Sequence, residues 1–244
     1  MFLTRTLDRL SRHYLKSRGF YVSKFFQKDR DEDYALNLSG YSDGAKKFSY
    51  SAYAEKQIEG NKRKFDLVWA DQETVRCISE HLRRHIPNVR QGLCHGSRNG
   101  SEIRWFATEL DCKVIGTDIS PTATAVPDMV QWDFHEENPD WVGQFDFVYT
   151  NSHDHAYDPK KAVDAWVGQL SDRGVLYLEH TTAHSESGVT ELDPFGVNPK
   201  ILPFVVLGWG QGRYCVQEIL KPPHRKAKGD EIWIFCIRKV ATAA

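Results

Sequence analysis

Titratable side chains are concentrated in two short stretches of the sequence. The first, 151–155, reads Asn-Ser-His-Asp-His, and the second, 179–184, contains an acid and two histidines. Histidine takes up a proton near neutral pH more readily than any other side chain, so His155 or His180 is predicted to act as a general base. Asp154 is a third candidate for that role. Alternatively, these polar side chains only order the two loops that carry them.

The same imidazole and carboxylate groups are ligands that divalent metals accept. Their spacing is not specific for a metal, and the five cysteines, an odd number, contain no C-x-x-C pair for structural zinc. No metal site is therefore predicted. Scattered free thiols favour a reducing compartment, so a cytoplasmic protein is expected.

A glycine-bearing turn followed by a lone carboxylate is the second chemical feature. Gly92, Gly96 and Gly100 precede a helical pattern, and Asp118 lies 22 residues beyond Gly96, at the end of the next apolar stretch. A carboxylate there can accept hydrogen bonds from ribose hydroxyls, while the turn lies close against the ligand. The pattern therefore predicts a nucleotide cofactor. The alternative is a tight turn between a strand and a helix that binds nothing.

The spacing of the glycines argues against a dinucleotide. The turn reads G-x-x-x-G-x-x-x-G rather than G-x-G-x-x-G, and the side chains of His95, Ser97, Arg98 and Asn99 crowd it. A pyrophosphate needs a bare helix N-terminus, so a nicotinamide dehydrogenase is disfavoured. A cofactor without phosphates, such as S-adenosylmethionine (SAM), fits better.

Four later segments extend this pattern: M-V-Q-W-D-F-H (129–135), F-D-F-V-Y-T-N-S-H-D-H (145–155), D-P-K-K-A-V-D-A-W-V-G-Q-L (158–170) and D-R-G-V-L-Y-L-E-H (172–180). In this order and spacing, the chain from about Val89 to Lys239 resembles the class I SAM-dependent methyltransferases. It departs from the family in the first loop. Gly92 stands where the family has an acid, and Arg98 stands where it has the last glycine of G-x-G-x-G.

The resemblance implies SAM as cofactor and an α/β fold with a Rossmann-like, mostly parallel seven-stranded sheet closed by an antiparallel hairpin. In the family, the acid after the second strand binds ribose and the acid after the third meets adenine; Asp118 and Asp133 match these positions. The cofactor-binding residues expected on this basis are Cys94, His95, Gly96, Asn99, Asp118, Ile119, Trp132, Asp133, Asn151 and Ser152.

The elements that must position these residues can be placed from apolar periodicity. Strands are predicted at 89–94, 112–118, 128–132, 145–150 and 174–180, and a hairpin at 214–220 and 231–238. Alternation with helical segments predicts a mostly parallel sheet. Because ligands bind at the carboxyl ends of such strands, the polar residues there are expected to meet. The long polar connection 181–200 is predicted to set substrate specificity.

Residues 1–88 are predicted to form a helical extension or lid, and 89–244 the SAM-binding domain. Helices are expected at Tyr50–Asn61, with Tyr53, Gln57 and Asn61 on one face, and at Asp71–His85, with Asp71 as N-cap. The segment 27–51 is expected to be a loop or lid. The first residues carry a helical apolar stripe, Leu3, Leu7, Leu10 and Tyr14, and residues 1–30 have eight basic and two acidic residues, a charge of 8 − 2 = +6.

The whole chain has 244 residues, 27% of them charged, and a net charge of −1, which gives no overall attraction to nucleic acid. No apolar run approaches the roughly 20 residues of a membrane-spanning helix. The leading hypothesis is a methyltransferase acting on a small-molecule or glycan (saccharide) acceptor, at oxygen. The alternatives are an RNA methyltransferase, which would use the basic N-terminus and the hairpin loop 221–228, and a catalytically silent SAM-binding subunit.

Overall fold

A computed structural model of the protein describes residues 33–42, 47–227 and 229–241. The apolar stripe at Leu3–Tyr14 and the basic segment 1–30 lie outside these residues, so both remain predictions.

Helices and strands alternate along the described chain. The helices are α1 (Tyr50–Arg63), α2 (Gln72–His85), α3 (Ser101–Leu110), α4 (Pro159–Gln169) and α5 (Leu202–Gly210). The strands are β1 (Ala35–Leu36), β2 (Gln91–His95), β3 (Lys113–Asp118), β4 (Met129–Gln131), β5 (Phe145–Thr150), β6 (Leu170–Thr181), β7 (Phe195–Gly196), β8 (Tyr214–Leu220) and β9 (Ile232–Lys239).

Seven strands form the main sheet in the order β4-β3-β2-β5-β6-β9-β8. The first five are parallel, whereas β9 pairs antiparallel with both β6 and β8. The predicted mostly parallel sheet with a closing antiparallel hairpin is therefore confirmed. In this order the carboxyl ends of β2, β3, β4, β5 and β6 lie along one edge, where the polar residues were expected to meet.

Helices cover both faces of the sheet. Neighbouring strand residues point to opposite faces: Leu93 lies in an apolar cluster with α4 and α5, and Cys94 lies in one with α2 and α3. Both side chains are fully buried. This alternation explains why the central strands read as nearly continuous apolar runs.

The helix α2 begins as predicted, because Asp71 Oδ1 accepts a hydrogen bond from the Thr74 amide at 2.7 Å. Residues 33–88, predicted to belong to an N-terminal extension, carry β1, α1 and α2. The connection 181–200 contains two short 3-10 turns and β7, which pairs antiparallel with β1. None of the described helices is long and apolar enough to cross a membrane.

Candidate functional site

The turn between β2 and α3 depends on glycine at both ends. Gly96 and Gly100 have φ angles of 72° and 71°, in the left-handed region that glycine adopts without steric cost. A Cβ at Gly96 would lie 2.5 Å from Ser152 Oγ. Gly92 instead lies inside β2, where the Phe147 ring fills the space of a side chain. Its predicted place in the turn is therefore wrong.

Arg98 lies between these two glycines, also in a left-handed conformation, with φ of 42°. Its amide donates to Asp118 Oδ2 at 3.2 Å, and its guanidinium donates to the Leu67 carbonyl at 2.9 Å. The backbone thus keeps a conformation usual for glycine although this residue carries a side chain. The side chain ties the turn to the segment between α1 and α2.

Asp118 ends β3 and is 7% exposed. Its Oδ1 accepts the Ser120 amide at 2.9 Å, so each carboxylate oxygen has a backbone donor. Burial raises the pKa of Asp118, against the opposing effect of these two backbone hydrogen bonds. The carboxylate is thus fixed in orientation at the end of its strand.

Two adjoining cavities open along this edge of the sheet. The narrow cavity has a volume of about 50 Å³ and is lined by Asp118, Ile119 and Asp133 together with residues of α1. The wide cavity has a volume of about 380 Å³. Both cavities share the residues Lys64, Gly96, Arg98, Ser152 and His155.

Helix α1 covers the narrow cavity. Tyr53, Gln57 and Asn61 are buried and line it from one helical face, as their spacing predicts. The Tyr53 hydroxyl donates to the His155 carbonyl at 3.0 Å, and Gln57 Nε2 donates to the Leu192 carbonyl at 2.8 Å. These bonds attach α1 to the loops that follow β5 and β6.

Comparison with known proteins finds no matching family model and no matching curated sequence. Solved structures do match. The 1,6-didemethyltoxoflavin-N1-methyltransferase of Burkholderia thailandensis, with its substrate and S-adenosylhomocysteine (SAH) bound, aligns at a TM-score of 0.61 and 15% identity, over 88% of this chain and 99% of that one. The N-methyltransferase NodS of Bradyrhizobium japonicum WM9, with SAH, aligns at 0.54 and 15%, over 75% and 98%. This chain has the class I SAM-dependent methyltransferase fold.

The methyltransferase fold also serves another reaction. The [4+2]-cyclase SpnF aligns at a TM-score of 0.55 and 12% identity, over 68% of this chain and 82% of that one. The likeness at such identities concerns the fold, so the reaction of this chain must be argued from its site.

The structure brings most of the predicted site residues together at the carboxyl ends of the parallel strands. The residues that line one or both cavities are Gly96, Asn99, Asp118, Ile119, Asp133, Asn151, Ser152, Asp154 and His155. The carboxylate of Asp133 accepts hydrogen bonds from side chains, whereas that of Asp118 accepts them from backbone amides. Asp133 Oδ1 accepts from His135 at 2.7 Å, and Oδ2 accepts from the Tyr50 hydroxyl at 2.8 Å.

Three predicted cofactor residues lie outside both cavities. The Cys94 side chain is in the apolar core. The His95 ring bonds Gln169 Oε1 at 2.8 Å, and burial lowers its pKa to about 4. Trp132 donates from Nε1 to the Glu136 carbonyl at 2.9 Å and packs on Trp141. The placement of Trp132 therefore gives no support to its predicted role in cofactor binding.

His180 also lines neither cavity. Its Nε2 donates to the Val197 carbonyl at 2.9 Å, and burial lowers its pKa to about 3. The side chain is fully buried, on the face of β6 opposite that of Glu179. His155, with which it was expected to share the site, lines both cavities.

Asp154 and His155 remain at the wide cavity beside Asp193. His155 Nδ1 donates to the Leu192 carbonyl at 2.9 Å and lies 3.4 Å from Asp193 Oδ1. Among the described residues, no group hydrogen-bonds Asp154 Oδ1, and burial raises the pKa of this carboxyl. These three side chains are close enough to hold a cation, but the His155 nitrogen nearest the acids already carries the proton that it donates to Leu192.

Sequence reasoning missed several groups that line the wide cavity, namely Lys64, Trp69, Glu102, Asp193 and Asp230. Glu102 is 5% exposed, and burial raises its pKa to about 7, against the opposing effect of Arg98. An acid in the first turn of a helix is ordinarily a solvated partner of the helix dipole, so its sequence position gave no sign of a role in a cavity.

Proposed function

We propose that this protein is a SAM-dependent methyltransferase that modifies an oxygen of a small-molecule or saccharide acceptor. The observation that carries the proposal is Asp118, a buried carboxylate oriented by two backbone amides at the edge of the narrow cavity. Such a group suits ribose hydroxyls. When bound, SAM supplies a methyl group on a positively charged sulfur, open to in-line displacement.

The division of the site follows from the two cavities. Asp118, Ile119 and Asp133 would hold the adenosine end, and Gly96 and Ser152 lie where the two cavities join. The narrow cavity is far below the roughly 300–1,000 Å³ of most ligand pockets. Admission of a nucleoside therefore requires α1 to move, with loss of the Tyr50–Asp133 hydrogen bond. Helix α1 would in this way act as a lid over the cofactor site of the domain at 89–244.

The charges of the wide cavity give no preference for an anionic acceptor. Four acids line it, Glu102, Asp154, Asp193 and Asp230, against two basic residues, Lys64 and Arg98, and burial favours the neutral form of Glu102 and Asp154. The lining therefore offers a phosphate backbone no excess of positive charge. In the hairpin loop expected to hold RNA, two of the described cations are engaged: Lys226 is buried against Asp71, and Arg225 pairs with Glu231. These contacts favour a small molecule over RNA.

His155 is the best placed general base. Because Nδ1 donates to the Leu192 carbonyl, Nε2 carries the lone pair that can take a proton from an acceptor hydroxyl. His155 lines both cavities, as a base between cofactor and acceptor must. Asp154 is the second candidate, and its free Oδ1 can orient the acceptor.

The proposal is tested by methyl transfer. Incubation with labelled SAM and fractionated cell extract should label a small molecule. His155→Ala should lower turnover by roughly 10²–10⁴-fold while SAM affinity changes little. His224→Gln, a histidine outside both cavities, serves as the control. Full activity of His155→Ala would exclude this base, and SAM binding without any labelled product would favour a catalytically silent subunit.

A further inference from the structure

A second cluster of potential metal ligands lies between α2 and the outermost strand of the sheet, β8. His81 and His85 are four residues apart on α2, so their side chains share one helical face. Glu218 reaches them from the edge strand β8, next to an irregularity in its pairing with β9. None of these three residues lines either cavity of the proposed active site.

The three side chains converge on one point. His81 Nε2 lies 3.2 Å from His85 Nε2 and 3.2 Å from Glu218 Oε2, and His85 Nε2 lies 3.4 Å from Glu218 Oε1. A tetrahedral zinc ion with bonds of about 2.0–2.1 Å separates its ligands by about 3.3 Å. The separation of the two nitrogens therefore matches two corners of such a site. One oxygen of the exposed Glu218, within 4.8 Å of both nitrogens, can supply the third corner after a small rotation of its side chain.

The surroundings of His81 support the same use. Its Nδ1 is 2.8 Å from the hydroxyl of Tyr177, a buried residue of β6. When Nδ1 donates to that oxygen, Nε2 carries a lone pair directed at the cluster. Metal-binding histidines are commonly held by such a partner on the second nitrogen. Glu218 is exposed, which leaves the fourth corner open to water.

We propose that His81, His85 and Glu218 bind a divalent transition metal of the zinc class, and that the ion fastens α2 to the edge strand β8. Two imidazoles and a carboxylate suit zinc and cobalt better than magnesium or calcium. Nearby Arg84 and Arg238 repel a cation, so the site is expected to bind more weakly than one built from thiolates.

The test is calorimetric titration of Zn²⁺ into the metal-stripped full chain. We expect one ion per chain, a zinc-dependent rise in melting temperature, and the visible absorption of tetrahedral cobalt when Co²⁺ is used. His85→Ala and Glu218→Gln should weaken binding by more than about 100-fold. His85→Cys, which keeps a ligand, should restore much of it.

Glu80→Gln, at an exposed acid on the same helix, is the matched control and should bind zinc like the unaltered chain. Circular dichroism and SAM binding should be the same in every variant, because the cluster is separate from the cavities. Absence of zinc binding would show that the three residues form only a hydrogen-bonded ion-pair cluster. Zinc binding that survives both His85→Ala and Glu218→Gln would place the ion elsewhere. Either result overturns the proposal.

Discussion

The two left-handed glycines of the turn between β2 and α3 differ in their surroundings. A Cβ at Gly100 would lie 3.0 Å from a methyl group of Val126, whereas one at Gly96 would lie 2.5 Å from Ser152 Oγ and 2.6 Å from its Cβ. Any side chain at Gly96 therefore adds a clash to the strain of the left-handed backbone, and it points at the junction of the two cavities.

We expect Gly96→Val to abolish SAM binding and to destabilise the protein by about 1–3 kcal/mol while leaving it folded. The control is Gly208→Ala on the exposed face of α5, where no atom lies within 4 Å of the added Cβ. That change should stabilise the protein by about 0.5–1 kcal/mol. Denaturant titration and calorimetry measure both effects. Normal SAM binding by Gly96→Val would contradict the assignment of the turn.

Glu102 makes stability depend on pH. Burial raises its pKa from 4.5 to about 7, so between these pH values the folded chain holds a proton that the unfolded chain has lost. The stability contributed by the neutral carboxyl is therefore present below pH 4.5 and is lost as the pH rises through 7. The side-chain amide in Glu102→Gln is neutral at every pH, so this variant does not lose that stability as the pH rises.

We expect Glu102→Gln to unfold like the unaltered protein near pH 4.5 and to be more stable at pH 8, by on the order of 2–3 kcal/mol. Thermal melts between pH 4.5 and 8 measure the difference, with exposed Glu80→Gln as the control. A stability difference that does not change with pH would mean that Glu102 titrates normally.

At the scale of elements, a buried lysine helps to fasten the hairpin loop between β8 and β9 to the rest of the fold. Lys226 Nζ lies 2.7 Å from Asp71 Oδ2, at the start of α2, and 2.6 Å from Glu179 Oε1 on β6. Burial opposes its charge, but Glu179 and Asp71 outweigh that effect and raise the pKa of Lys226. Tyr149 donates to the other oxygen of Glu179 at 2.6 Å.

Removal of the cation would leave the fully buried carboxyl group of Glu179 without its positive partner. Lys226→Met should therefore cost about 3–5 kcal/mol, whereas Lys221→Met in the same loop, at an exposed lysine, should stay within about 0.5 kcal/mol. Urea unfolding of both variants measures the difference. Equal stabilities would show that the buried pair contributes nothing to the attachment of the loop.

The sequence predicts the elements better than it predicts the faces that their residues occupy. The strands β5 and β6 could be predicted because they are buried apolar runs. The start of α2 could be predicted because Asp71 is a favourable N-cap residue. Glu179 and His180 are neighbours on one strand, so they point to opposite faces. Trp132 likewise diverges from Asp133. Sequence alone could not say which of these side chains reach the cavities: Asp133 lines the narrow cavity and Trp132 does not, while neither Glu179 nor His180 lines either cavity. The pairing of β1 with β7 depends on residues far apart in the chain, and neither strand is long enough to show periodicity.

At the scale of the whole molecule, the proposed methyl transfer takes place at the carboxyl ends of the parallel strands. The proposed metal site lies between α2 and the outermost strand β8. Neither the wide cavity nor the ion pairs of Arg225 and Lys226 in the hairpin loop favour a phosphate backbone. The fold alone permits transfer or cyclisation, so the proposed function depends on whether the narrow cavity admits the cofactor.

The binding of SAM next to Asp118 is tested by calorimetric titration of SAM into the unaltered chain and into Asp118→Ala. We expect one binding site, and in Asp118→Ala a loss of about 2–4 kcal/mol, a roughly 30- to 1,000-fold weaker affinity, because two charge-assisted hydrogen bonds disappear. Asp172→Ala, at the opposite end of β6 from the cavities, should bind normally. Failure of the unaltered chain to bind SAM, or equal affinity for SAM in Asp118→Ala, would contradict the proposed SAM site at Asp118.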